Sequence, residues 1–219
     1  MTRPRAVRSY VIRAGRLTPA QRRALATLLP RYGIAAAVVD AAGRRPLHLE
    51  IGIGNGEQLV TLAARHPGHD FIGCEVHPPG LGHALLRLEA AALTNLRLHA
   101  GDAVAFLDSL PADVLDSVAV FFPDPWPKTR HHKRRLVGPP LLAALTRALK
   151  RGGRFYFASD NENYAASVCE LLSAGAPWCN LAGRAQFAPR PCWRLTTRFE
   201  QRAGRAGATV WDVAAARIA

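Results

Sequence analysis

The chain has 219 residues, 49% of them hydrophobic, and a formal net charge of +13. That length and apolar content suit one sizeable domain and argue against a small disulfide-stapled scaffold. The excess of cations favours a polyanionic partner, nucleic acid first and an anionic membrane surface second.

Residues 1–20 are basic and contain no acid, the first being Asp40; they read as an arm ahead of a single domain over 21–219. PAQRRALATLLP (19–30) has helical spacing with Pro19 at the first helical position. From there strands and helices alternate. RPLHLEIGIG (45–54) is a strand entering a glycine-rich turn, and EQLVTLAARHP (57–67) is a helix stopped by Pro67. DFIGCEVH (70–77) is a strand and LGHALLRLEAAAL (81–93) a helix. NLRLHAGD (95–102) is a strand, AVAFLDSL (103–110) a short helix, and SVAVFFPDP (117–125) a strand. PPLLAALTRAL (139–149), GGRFYFASDN (152–161) and NYAASVCELLSAG (163–175) read as helix, strand and helix. ATVWDVAAARI (208–218) is a strand with no crossover helix before it, which predicts antiparallel pairing. Repeated strand–helix alternation with nearly continuous apolar strands means an α/β fold, a parallel sheet covered by helices on both faces.

The four cysteines, Cys74, Cys169, Cys179 and Cys192, include no C-x-x-C pair, so a structural zinc site has little support and reduced thiols are expected. No apolar run reaches the roughly 18 residues of a membrane span, and MTRPRAVRSYVIRAGRL has no apolar core of signal-peptide length. These features predict a cytoplasmic protein with no membrane partner and no metal. The sequence leaves monomer and homodimer open.

Each of the first five strands ends near a carboxylate: Glu50, Glu75, Asp102, Asp124 and Asp160. Acids at such places can cap the helices that follow, and Asp160 stands just before one. Five in a row, at the sheet edge where α/β folds bind ligands, point to a site. The turn LEIGIGNGEQ, with Gly52, Gly54 and Gly56, lets backbone approach a ligand closely. Its E-x-G-x-G-x-G spacing departs from the dinucleotide pattern, which would need glycine where Glu57 stands, and it lacks a P-loop lysine. The turn suits a cofactor without a pyrophosphate, such as S-adenosylmethionine. Glu75, at the end of the second strand, can accept both ribose hydroxyls, and Asp102 is in range of the adenine amino group.

FFPDPWPKTRHHKRR (121–135) joins an acidic, proline-rich turn to a basic run. Between Asp124 and Asp160 there are nine Lys or Arg and no acid. A solvated helix face normally mixes both signs, so the run reads as a phosphate contact. Trp126 either stacks on a base or packs under the turn. His131 and His132 have no acidic or cysteine partners nearby in sequence to make a metal site.

These blocks, together with RSYVIRAGRLTPAQ, FYFASDNENYA and PRPCWRLTTRFEQRAGRAGATVWD, resemble class I S-adenosylmethionine-dependent methyltransferases. Within that group the resemblance is to the bacterial tRNA (guanine-N7-)-methyltransferases, over nearly the whole chain, and FFPDPW-x-K-x-R-H-x-K-R-R is its most diagnostic part. It implies a Rossmann-like, mostly parallel seven-stranded sheet with an antiparallel C-terminal strand. It also implies methyl transfer from S-adenosyl-L-methionine to guanine N7 in the variable loop of tRNA. Cofactor contacts would fall at Glu50, Glu75 and Asp102, beside Gly52 and Gly54 of the turn, and Asp124 would be both a cofactor contact and the active-site acid. Substrate contacts would fall at Lys128, Asp160, Thr197, Arg198, Phe199 and Glu200, and the RNA-interacting run at Arg130, His131, His132, Lys133, Arg134 and Arg135. Arg198 stands where the family commonly shows lysine, and Ser159 where threonine is common. An enzyme acting on an exocyclic amine would show N/D-P-P-Y/F after the fourth strand, which FFPDPW overlaps only in part. A non-catalytic RNA-binding protein on this fold would be expected to lose the cofactor acids, which are all present here.

Overall fold

The computed structural model of the chain describes residues 15–39, 45–196, 200, 207 and 209–219. Residues 1–14 of the expected arm lie outside them, and Pro19 and Ala20 already belong to the first helix, α1 (Pro19–Thr27). Thr18 fixes its start. The Thr18 hydroxyl accepts from Gln21 N–H at 3.2 Å, and Gln21 Oε1 accepts from Thr18 N–H at 2.8 Å. This reciprocal capping box satisfies two donors that the helix itself leaves free. A short helix, α2 (Leu29–Tyr32), follows instead of one continuous helix to residue 30.

The alternating elements are β1 (Leu47–Ile51), α3 (Glu57–Arg65), β2 (Asp70–Glu75), α4 (Pro78–Ala90), β3 (Leu96–Ala100) and α5 (Ala103–Ser109). Then come β4 (Leu115–Phe121), α6 (Pro139–Ala148), β5 (Leu149–Ser159), α7 (Glu162–Ser173), β6 (Trp178–Asn180) and β7 (Trp211–Arg217). The seven strands form one sheet in the order β3-β2-β1-β4-β5-β7-β6. Strands β1 to β5 pair in parallel, and β7 runs antiparallel to both β5 and β6.

The chain steps outward from β1 to β3 and then returns across β1 to β4. Right-handed crossovers therefore put the helices after β1 and β2 on one face and those after β3, β4 and β5 on the other. The core divides accordingly. One cluster packs Ala24 of α1, Leu59 and Ala63 of α3, and Leu81, Leu85 and Leu88 of α4. The other packs Phe106 and Leu107 of α5, Leu141 and Leu145 of α6, and Tyr164 and Val168 of α7. The reversal between β1 and β4 opens a crevice at the carboxyl ends of the strands.

Several boundaries differ from expectation, and one strand is added. Strand β4 ends at Phe121, not Pro125, because Phe122 takes a left-handed conformation (φ 52°) and Pro123 has no N–H for the ladder. Strand β5 begins at Leu149, ahead of Gly152. Strand β6 is only three residues long and has no sequence signature of its own; it is held by pairing Trp178 with Arg217 and Asn180 with Ala215. The basic run folds as a 3₁₀ helix, Thr129–Arg134. Among the described residues no helix is long and apolar enough to cross a membrane.

Candidate active site

The glycine turn owes its shape to backbone conformation. Gly52, Gly54 and Gly56 all have positive φ, at 76°, 55° and 76°. A Cβ at Gly52 or Gly54 would meet nothing within 4 Å, so both leave bare backbone facing open space. Gly56 is different: a Cβ there would lie 2.7 Å from that of Ala84, so this glycine lets α3 pack against α4.

Glu75 is locked around that turn. Its Oε2 accepts from Gly54 N–H, and its Oε1 accepts from the N–H groups of Val76 and His77, each at 2.8 Å. Glu50 is buried at the end of β1, and burial, followed by the charge of Glu75, pushes its pKa up to about 8. Asp102 caps α5, accepting from Ala105 N–H at 3.0 Å through one oxygen. The capping reading of that acid is therefore correct, and the second oxygen remains available to a ligand. Asp160 does not cap α7. The cap is Asn161, whose side chain accepts from Tyr164 N–H at 2.9 Å, and Asp160 is exposed beside it.

Glu50, Gly52, Gly54, Glu75, Asp102 and Asp124 line one cleft of about 740 Å³ at the carboxyl ends of β1 to β4. Asp124 reaches it from a turn stiffened by Pro123, Pro125 and Pro127, with left-handed residues at Phe122 and Trp126. Lys128, Asp160, Glu200 and the basic run lie outside the lining of this cleft.

Within the run the side chains divide. The guanidinium of Arg134 lies 3.9 Å from the Trp126 ring centre, and His131 meets the same ring edge-on, so Trp126 is packed within its own turn. Arg135 reaches inward. It donates to the Pro125 carbonyl at 3.1 Å, to Asn163 Oδ1 at 2.8 Å and to Ser167 Oγ at 3.2 Å, over the ring of Tyr164. Lys128, Arg130 and Lys133 are exposed, and His132 is half-buried.

Thr197, Arg198 and Phe199 lie outside the described residues. Glu200 is held by two arginines, with Arg190 Nε at 3.0 Å and Arg194 Nη1 at 2.9 Å. Arg194 is 1% exposed, the most bulky of the fully buried side chains among the described residues. It pairs with Asp212 of β7 at 2.9 Å and lies 5.6 Å from the ring centres of both Phe121 and Phe122. The next residue, Leu195, donates its N–H to Gln58 Oε1 at 2.6 Å. Arg194, Asp212 and Gln58 escaped the reading of the sequence, because each acts through a partner distant along the chain.

Comparison with known proteins gives a consistent picture. The profile of a family, Methyltransf_4, described as "Putative methyltransferase", matches residues 44–213. A tRNA (guanine-N(7)-)-methyltransferase of Methylococcus capsulatus is 49% identical over 216 residues, covering 96% of this chain and 94% of the relative. One from Alcanivorax borkumensis is 46% identical, covering 95% of this chain and 90% of the relative. Among solved structures, a 16S rRNA (adenine(1408)-N(1))-methyltransferase from Catenulisporales acidiphilia with cosubstrate SAM superposes with a TM-score of 0.57. It is 18% identical and the match covers 84% of this chain and 90% of that one, a likeness of fold.

Proposed function

We infer the reaction from one premise: the chain belongs to the tRNA (guanine-N(7)-)-methyltransferase family. It transfers a methyl group from S-adenosyl-L-methionine to N7 of guanine in the variable loop of tRNA, in the cytoplasm, leaving 7-methylguanosine. The observation that carries this reading is the convergence of Glu50, Glu75, Asp102 and Asp124 on one cleft at the switch point of the sheet.

The residues fit the donor. Gly52 and Gly54 present bare backbone where an adenosine must lie close. Glu75 is fixed before any ligand arrives, so it need not be ordered on accepting ribose hydroxyls. The Asp102 oxygen not used by the cap accepts from the adenine amino group. Glu50 offers a buried carboxyl beside a ligand that carries positive charge. When bound, the donor supplies an electrophilic methyl on a sulfonium.

Guanine N7 carries a lone pair and has no proton to lose, so no general base is required. The side chains supply alignment, which in well-oriented systems is worth roughly 7–11 kcal/mol. Asp124 accepts from guanine N1–H and N2–H₂, holding the base edge so that N7 faces the methyl group. Lys128, Asp160 and the stretch from Thr197 to Glu200 contact the substrate around it. Arg130 and Lys133 hold phosphates, and His131, His132, Arg134 and Arg135 shape the turn that presents them.

Incubation with labelled S-adenosylmethionine and unmodified tRNA, followed by mapping of the modified base, tests this reading. Label at N7 of a variable-loop guanine is expected. Label on an exocyclic amine, or none in tRNA, overturns it.

A further inference from the structure

Arg135 closes the basic run, and its N–H groups are largely engaged within the chain. Nε donates to the Pro125 carbonyl, Nη1 to Ser167 Oγ and Nη2 to Asn163 Oδ1, at 3.1, 3.2 and 2.8 Å. Nη2 also meets His132 Nε2 at 3.2 Å. A guanidinium can only donate, so that imidazole nitrogen is the acceptor. Four of its five N–H groups therefore have partners. A two-pronged grip on a phosphate would need two that are free. The guanidinium also lies over the Tyr164 ring, 4.7 Å from its centre.

The partners come from two places. Pro125 follows Asp124 in the turn after β4, and Asn163 and Ser167 stand in the first two turns of α7, which Asp160 precedes. Two residues beyond Arg135, Val137 N–H donates to the Tyr164 hydroxyl at 2.8 Å, so the chain leaving the run is fastened to the same helix. The turn needs such a brace. Phe122 and Trp126, on either side of Asp124, both hold left-handed φ, at 52° and 46°. That conformation is costly for a bulky side chain and persists only where the surroundings impose it.

Resting on the role given to Asp124 above, we propose that Arg135 is a positioning residue for methyl transfer. It fixes the Asp124 turn against α7, so that the carboxylate is held where the guanine edge arrives, and it does not itself grip a phosphate. What the reaction takes from Arg135 is its planar fork, which reaches turn and helix at once, and not its charge.

Arg135→Lys keeps the charge but places it on a single atom that cannot reach Pro125, α7 and His132 together. Single-turnover methylation of unmodified tRNA, with tRNA and S-adenosylmethionine both saturating, should slow roughly 10- to 100-fold, the scale expected of a misplaced group. The salt dependence of tRNA binding should match that of wild type. A full rate in the lysine variant, or a loss confined to tRNA binding, overturns the proposal. The route through Asp124 has its own check. In an Asp124→Asn background the same change should alter the residual rate by no more than about twofold, because the carboxylate it positions is gone. A further fall of the original size overturns that route. Should the lysine variant melt early, Asn163→Ala removes one acceptor at an exposed place on α7 and no charge. It should slow transfer in the otherwise wild-type chain and not in the Asp124→Asn chain; a wild-type rate, or equal falls in both, overturns the proposal. Wild-type protein that labels no guanine N7 would sink the reaction itself, a result distinct from all of these.

Discussion

The backbone N–H of Gly54 donates to Glu75 Oε2 at 2.8 Å, and this bond makes the turn after β1 and the end of β2 a single unit. Replacing Glu75 with alanine removes it, along with the bonds from Val76 and His77 and the acceptor for ribose. Affinity for S-adenosylmethionine should fall by about 1.5–3 kcal/mol. Calorimetry returning the wild-type affinity would take Glu75 out of the site.

Glu50 makes stability depend on pH. Its pKa is about 8 in the folded chain against an ordinary 4.5. Between those values the native state holds a proton that the unfolded chain has released, so stability falls as pH rises, by up to about 1.4 kcal/mol per pH unit. His48 acts in the opposite sense. Burial, then the charge of His69, lowers its pKa from 6.5 to about 4, so its contribution is lost as pH falls below 6.5. The clean window is therefore between 6.5 and 8. Denaturant unfolding across it should show a flatter slope for Glu50→Gln than for wild type, and equal slopes would mean that another group titrates. A cation bound beside Glu50 should expel its proton, so donor affinity should rise over the same window.

Asp124→Asn keeps the shape of the side chain but points a donor at the donors of guanine. The methyl-transfer rate should drop sharply with little effect on tRNA affinity. Since the reaction removes no proton from N7, raising the pH should not restore it. Steady recovery in alkali, in single-turnover assays, would show that Asp124 works as a base.

The basic run should separate into two kinds of residue. Alanine at Arg130 and Lys133 removes exposed cations and should make the log–log salt dependence of tRNA binding shallower, by about 0.7–0.9 units for each phosphate no longer neutralised. Cofactor affinity should be unchanged. Alanine at Arg135 breaks the hydrogen bonds to Pro125, Asn163 and Ser167, and should lower the melting temperature as well. A salt slope identical to wild type in the double variant would move the RNA footprint elsewhere.

Arg194 and Asp212 form a pair almost without solvent, and burial raises the Asp212 pKa while Arg194 draws it back. Arg194→Met alone leaves carboxylates buried without their partner and should cost about 3–5 kcal/mol. Arg194→Met with Asp212→Leu should recover much of that in chemical denaturation. A double variant no more stable than the single one would show that the pair is not the source of the loss.

The order of strands and helices and the E-x-G-x-G-x-G turn could be read from the sequence because both are local. Side-chain periodicity reports which face of an element is buried, and glycine reports where φ must be positive. The acids at the ends of β1 and β2 and following β3 and β4 were equally legible, since the switch-point rule turns a position along the chain into a place on the sheet edge. Distant meetings were left to the tertiary structure. Nothing in the composition of the basic run separates Arg135, turned inward onto α7, from Arg130, left in solvent. Nothing near Gln58 announces Leu195, and nothing near Arg194 announces Asp212. Strand β6 exists because β7 offers it an edge. Those outcomes depend on which elements the sheet order sets side by side, and burial then selects the partners, because a buried polar group must find one or remain costly.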